Sequence, residues 1–293
     1  MIIVRLSGGM GNQMFQYAIG RSLAIKNNVP LGLDAAFLLD RTPRVNFTFR
    51  DFDLDVFNIQ AELVSQSAVP FWPRKHLSGK IMLLKDKVRR ILFPGKGTEK
   101  KFQFDSTIKD VGPNTYLEGY WQSPKYFFDI QDIIRADFTL KDGLSEKSLE
   151  LQKEIKNANS VCVHVRRGDY VGNSYHDVGI GESYYEQGVQ HILTKSAIDK
   201  IYVFSDDVEW CREHIYFGIE TMFVGSEYAG KKGEEHLVLM TSCKHFLIAN
   251  SSFSWWAAWL ATNPQKIVIA PKKWFGDATI DTIDLIPEGW MRI

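Results

Sequence analysis

SVCVHVRRGDY, residues Ser160–Tyr170, passes from apolar to charged within eleven residues. Valines at 161, 163 and 165 predict a strand buried on both faces. Such a strand delivers His164, Arg166, Arg167 and Asp169 to its carboxyl end. The pattern then repeats downstream. KIYVFS (200–205), TMFVG (221–225), HFLIAN (245–250) and KIVIAP (266–271) read as strands. ESYYEQGVQHILTKS (182–196), DVEWCREHI (207–215), EEHLVLMTSC (234–243) and SFSWWAAWLAT (252–262) read as helices. Short β-branched runs alternating with amphipathic helices predict a parallel sheet covered on both faces.

The chain opens in the same way. IIVRL (2–6) predicts a strand, SGGMGN (7–12) a glycine loop, QMFQYAIGRSLAIKNN (13–28) a helix and PLGLDA (30–35) a second strand. Phe15, Ala18, Ser22 and Ile25 fall on one helical stripe that can face a sheet. TYLEGYW (115–121) predicts another strand, and SPKYFFDIQDIIRADF (123–138) a helix after its Ser-Pro start. LKDGLSEKSLELQKEIKNANS (140–160) is a polar helical bridge. Two α/β domains follow, 1–155 and 156–293, with a ligand expected at the carboxyl ends of the strands, facing the other half.

The 293 residues carry 35 Lys plus Arg and 35 Asp plus Glu, so no overall charge draws the chain to nucleic acid. Cys162, Cys211 and Cys243 are odd in number, lack metal-ligand spacing and sit in apolar or helical contexts. They predict buried, reduced thiols and a reducing compartment. No secretory signal is read at the start and no apolar run approaches the ~20 residues that span a bilayer. The expected location is therefore the cytoplasm. One local charge excess stands out: ten basic residues between Arg74 and Lys101 against Asp86 and Glu99. KIMLLKDKVRRILF (80–93) within it predicts a basic amphipathic helix, either a solvated face or a contact with anionic lipid at the inner face of the membrane.

Polar groups cluster just after strands: His164, Arg166, Arg167 and Asp169 after the first, Ser205, Asp206 and Asp207 after the next, and Asn250, Ser251, Ser252 and Ser254 where a helix begins. Neighbouring strands would place them on one rim. A helix start with serines accepts a phosphate through its N–H groups and dipole, and arginine adds a bidentate fork. The aspartates suit donors on a sugar or base. Together they describe a nucleotide-diphosphate site. Each part also has a structural reading, as an N-cap, a surface ion pair or a core histidine. SGGMGNQ lacks the ending of a P-loop and, with Met14 at the third glycine position, fails the dinucleotide fingerprint. A dehydrogenase is disfavoured for that reason, and Asp34 is a weak ribose candidate. Gly9 and Gly11 instead let backbone approach a ligand, with Asn12 and Gln13 offering neutral hydrogen bonds. No metal or acyl-enzyme motif is present, and an arginine-based diphosphate site makes a divalent cation unnecessary. No metal or cofactor is expected.

These motifs resemble those of the α-1,2-fucosyltransferases of glycosyltransferase family 11, nearly end to end. GGMGNQMFQYA (8–18), LEGYWQSPKYF (117–127), HVRRGDY (164–170), FSDDVEWC (204–211), ANSSFSWWAAWL (249–260) and VIAPKKWF (268–275) are similar to its blocks, in the same order. Residues 41–101 match none of them. The resemblance implies two Rossmann-like domains facing across a cleft (GT-B type), the first on the acceptor side and the second binding GDP-L-fucose. It implies inverting transfer of L-fucose to the 2-hydroxyl of a terminal galactose in a glycan, in surface polysaccharide synthesis. Arg166 would hold the β-phosphate, with Arg167 near it or bracing the site. His164 and one of Asp206 or Asp207 would contact guanosine. Ser251, Ser252 and Phe253 would close around the diphosphate, and Asn12 would reach toward fucose or the acceptor. Asp169 is the first candidate for general base, His176 the second and Asp177 the third, unless departure of the diphosphate makes a base unnecessary. The rivals are a fucosyltransferase of α-1,6 or protein O-linkage and a nucleotide-sugar-binding module without turnover.

Overall fold

The structure is a computed structural model that describes residues 1–43, 48–64, 95–168 and 170–293. The basic segment 80–93 and Asp169 lie outside the described residues. Contacts divide the chain into two units, Met1–Lys141 with Asp281–Leu285, and Asp142–Ile280 with Ile286–Ile293.

The first unit contains β1 (Ile2–Arg5), α1 (Met10–Asn27), β2 (Leu31–Asp34), α2 (Ala36–Leu39), β3 (Glu62–Leu63), β4 (Gly95–Thr98), β5 (Thr115–Glu118) and α3 (Gln131–Asp137). Its sheet is parallel throughout, in the order β3-β2-β1-β5-β4. The predicted stripe on α1 is too narrow: burial runs almost all round from Met10 to Ala24, while Ile25 is exposed. Phe127 and Phe138 explain this, since their rings pack on Phe15 and Tyr17 of the helix, and Phe57 packs in turn on Phe138. On the sheet side, Gly20 lets α1 approach closely. A Cβ there would lie 2.4 Å from Val4 Cγ2. The long helix expected over 123–138 is two 3-10 turns followed by the seven residues of α3.

The second unit contains α4 (Glu146–Asn157), β6 (Ser160–Val165), α5 (Glu182–Leu193), β7 (Lys200–Ser205), α6 (Val208–His214), β8 (Thr221–Val224), α7 (Glu234–Thr241), β9 (His245–Leu247), α8 (Ser252–Leu260), β10 (Val268–Ala270) and β11 (Met291–Arg292). Its parallel sheet runs β11-β10-β9-β6-β7-β8. Side chains alternate across β6. Val161, Val163 and Val165 pack with Tyr185, Val189 and Ile192 of α5, leaving Cys162 and His164 for the other face. WWAAWLA, the most apolar stretch, is a core helix rather than a membrane element, with Trp255 and Trp256 fully buried in T-shaped contact at 5.1 Å. Burying each such side chain stabilises the unit by roughly 1.5–3 kcal/mol or more. No described helix is long and apolar enough to cross a membrane.

The unit boundary falls between residues 141 and 142, not at 155/156 as the sequence suggests. The polar bridge is α4, and it packs on the second unit. Gln152 Nε2 donates to Ser242 Oγ at 3.0 Å, and Ser145 Oγ to the Glu235 carboxylate at 2.6 Å. Both sheets reverse their strand order once, between β1 and β5 and between β6 and β9. Such switch points are where the loops after the strands part and ligands enter.

Candidate functional site

The end of β6 lies between the ends of β7 and β9, which brings the three predicted clusters onto one rim. In parallel register, His164 pairs with Phe204 and Val165 with Ser205. Beyond the strands the two arginines meet the two aspartates. Arg166 Nη1 is 3.0 Å from Asp206 Oδ2, while the Arg167 N–H donates to Asp206 Oδ1 at 2.9 Å. Arg167 Nε donates to Asp207 Oδ2 at 3.2 Å, and its guanidinium lies over the Trp210 ring at 3.8 Å. Asp207 also caps α6 by accepting the Trp210 N–H, and Ser205 Oγ accepts the Asp207 N–H at 2.9 Å. In the structure these aspartates, expected to include a contact to guanosine, meet the two arginines. All four carboxylate oxygens accept donors from the protein, and the pair orients the arginines. Gly168 completes the arrangement, because a Cβ there would lie 2.5 Å from Asp206 Oδ2.

His164 is 6% exposed, and its Nδ1 has no hydrogen-bond partner. Its ring faces Phe253 of α8 at 6.2 Å. Burial, then the Arg166 charge, then His236, hold its pKa down to about 3. The imidazole is thus neutral near pH 7 and available as a hydrogen-bonding group. Because the unfolded chain takes up this proton near pH 6.5 and the folded one near 3, stability is full above 6.5 and declines as pH falls between those values. We expect the urea midpoint of His164→Phe to fall less between pH 7 and pH 5 than that of the wild type. Burial lowers His236 and His245 too, so part of the decline persists.

Beside Arg166, across the switch point, β9 leads into α8. Its N-cap residue is Ser251, whose side chain makes no capping hydrogen bond. Ser254 Oγ turns back to the Ser251 carbonyl at 3.2 Å. The first-turn N–H groups of Ser252 and Phe253 therefore meet no serine oxygen and suit an anion. Asn250, expected to touch the donor, is instead buried, and its Nδ2 donates to the carbonyls of His176 at 2.9 Å and Trp274 at 3.0 Å. It stitches together the loops that follow β6 and β10. Within them His176 stacks on Tyr170 at 4.5 Å, and Arg166 lies 5.3 Å from the centre of the same Tyr170 ring. Asp177 accepts N–H groups from Gly172 and Gly179, which hold its carboxyl below the usual range. That weakens it as a base.

In the first unit, the loop after β1 turns at Gly8 with φ +76°, where a Cβ would lie 2.4 Å from Asn12 Nδ2. Only glycine fits both conditions. Gly9 is the N-cap of α1, and Gly11 is buried in its first turn. Asn12 is partly exposed, with Oδ1 accepting from Gln122 Nε2 at 2.7 Å. Gln13 departs from the ligand-contacting expectation. It is 0% exposed, donates to the carbonyls of Gly8 and Asp51, and accepts the Asp53 N–H. It anchors the loop to the 51–53 segment. Asp34 is likewise structural, taking Tyr116 Oη at 2.7 Å and the Ala36 N–H. Glu99, Trp121, Gln122 and His236 were not among the sequence candidates. The run Gly-Tyr-Trp-Gln directly after β5 is the signal that marks two of them.

Among the described residues no three His, Cys, Asp or Glu side chains group closely enough to hold a metal ion. The three cysteines are free and buried. Two parallel α/β units, the second with guanidinium groups and a helix start beside its switch point, define the class: a protein of two α/β units, each built on a parallel sheet. Residues 100–293 match the model of Glycosyl transferase family 11, and the chain belongs to that family. It is 33% identical to an alpha-1,2-colitosyltransferase of Escherichia coli, over 100% of this chain and 99% of that protein. It is 34% identical to the O-antigen biosynthesis glycosyltransferase WbnK of Escherichia coli, over 98% of this chain and 99% of that protein. It is 29% identical to a galactoside alpha-(1,2)-fucosyltransferase 1 of Saimiri boliviensis boliviensis, over 52% of this chain and 44% of that protein.

Proposed function

We propose that this glycosyltransferase moves L-fucose, or its 3-deoxy analogue colitose, from a GDP ester to the 2-hydroxyl of a terminal galactose, inverting the anomeric centre. The observation that carries the reading is the placement of Arg166 and the start of α8 on adjacent strand ends. Two of the relatives are named for an α-1,2 linkage and for different sugars, colitose in one and fucose in the other, which favours that linkage here and leaves two donor sugars. Galactose as acceptor, and surface polysaccharide as the setting, follow the same relatives' names.

In this reading the acceptor oxygen attacks C1 as the bond from C1 to the β-phosphate oxygen breaks, so a β-linked donor yields an α-linked product. Negative charge grows on the departing GDP. Arg166 and the first N–H groups of α8 meet that charge in fixed positions and so act where the rate is set. Asp206 keeps Arg166 aimed, and Arg167 braces Asp206 and Asp207. Because cationic donors neutralise the diphosphate, transfer proceeds without a divalent ion. The acceptor proton passes to Asp169 or to His176. Asp177 is the weaker choice for the reason given above.

Incubation with GDP-L-fucose and GDP-colitose over a panel of β-galactosides, with the new linkage assigned by NMR, tests the proposal. A site that hydrogen-bonds the sugar's 3-hydroxyl rejects the deoxy donor by about 10⁴–10⁵, whereas one that packs on C3 discriminates by about 10²-fold or less. The ratio thus names the donor. Transfer from neither, or a product linked elsewhere than O2, would overturn the reading.

A further inference from the structure

Arg167 is held at its backbone, its edge and its face. Its N–H donates to Asp206 Oδ1 at 2.9 Å, its Nε to Asp207 Oδ2 at 3.2 Å, and its guanidinium lies over the Trp210 ring at 3.8 Å. Arg167, Asp207 and Trp210 close a cycle, because the other oxygen of Asp207 accepts the Trp210 N–H at 3.2 Å. Trp210 is itself fixed. Its side chain packs against the buried cluster that contains Val165, Tyr185 and Cys211. The imidazole of His214, one helical turn on, stacks on its ring at 4.6 Å with the planes 10° apart. Among the described residues no acceptor meets Nη1 or Nη2 of Arg167. Arg166 differs, since its Nη1 is occupied by Asp206 at 3.0 Å.

One hydrogen bond through Nε fixes a distance and leaves the guanidinium free to turn about it. A flat ring beneath fixes the plane, and stacking occupies none of the N–H groups. Trp210 thus supplies what Asp207 alone lacks, a set plane with both terminal nitrogens left for an anion. We propose that Trp210 is a positioning residue of the diphosphate rim: it acts through Arg167, holding the guanidinium flat so that both terminal nitrogens meet the negative charge of GDP. The inference rests on the reading that this rim binds GDP, and it gives the aim of the second arginine to an aromatic ring as well as to the carboxylates.

Calorimetric GDP titration of Trp210→Leu, Trp210→Phe, Arg167→Ala and the double variant Trp210→Leu, Arg167→Ala tests it. Trp210→Leu keeps an apolar side chain on the core and removes the ring face. GDP affinity should fall about 5- to 30-fold, the size of a partly desolvated cation–π contact. Trp210→Phe restores a face and should stay within about threefold of the wild type. In the Arg167→Ala background Trp210→Leu should change affinity by about twofold at most, because its effect passes through that guanidinium. A tryptophan that only supports the fold would lower affinity equally in both backgrounds. That result overturns the inference, as does wild-type affinity in Trp210→Leu. If Trp210→Leu does not fold, tetrafluorotryptophan at position 210 decides, since fluorine drains the negative ring face and changes its shape little. Affinity should then fall by about threefold or more, and an unchanged value overturns the role. A wild type that binds no GDP overturns the proposed function and this inference together. One that binds it while Trp210→Leu keeps full affinity overturns this inference alone.

Discussion

Arg166→Ala is expected to lose about 10²–10³ in kcat/KM, the usual consequence of removing one fixed donor from a developing negative charge. The geometry sharpens this. Arg166 and Asp206 are 3.0 Å apart, so removing the guanidinium leaves the Asp206 carboxylate facing the diphosphate with one cationic partner fewer. Part of the loss is therefore repulsion, and the double variant Arg166→Ala, Asp206→Ala should bind GDP more tightly than Arg166→Ala alone. Arg166→Lys should not restore activity, because a single ammonium lacks the planar fork that serves carboxylate and phosphate together. Near-normal turnover in either single variant, or a double variant that binds still more weakly, contradicts the role given to Arg166.

The second large effect is a divergence between stability and binding. Ser252 is the first residue of α8 and is partly exposed. A carboxylate there lies at the positive end of the helix, so Ser252→Asp should stabilise the fold by about 0.3–1 kcal/mol or leave it unchanged. The same carboxylate faces the site assigned to the diphosphate. Two unit charges about 4 Å apart repel by about 4 kcal/mol at the effective dielectric of a protein surface, so GDP affinity should drop by about 10²–10³. A thermal melt and a GDP titration on one preparation read both quantities. Wild-type affinity would place the diphosphate elsewhere, and a matching fall in both would mark a folding defect instead.

The second sheet was legible because alternating valines at 161, 163 and 165 and the short apolar runs after them have no other stable home than a covered parallel sheet. The rim followed, since polar residues placed just after neighbouring strands must share an edge. What each side chain does on that edge was not legible. Asp206 and Asp207 carry the same charge as a sugar-binding pair would, and only the register of β6 against β7 gives them to the arginines. Asn12 and Gln13 are adjacent on α1, yet one helical step turns Gln13 inward to the 51–53 segment while Asn12 stays at the surface. The boundary was misplaced for a similar reason. α4 buries only Ser148, Leu151 and Ile155, too little pattern to say which sheet it joins. Glu99 and Trp121 are 22 positions apart and come together only because β4 and β5 are paired.

The account stands or falls on whether the second unit's rim grips a diphosphate through its own cationic donors. Calorimetric titration of the wild-type protein with GDP and with guanosine, in EDTA, reads this directly. GDP should bind without a divalent ion and about 100-fold or more tighter than guanosine, as expected for charge-assisted contacts to a diphosphate. Equal affinities for the two, or GDP binding that appears only when a divalent cation is added, would contradict it.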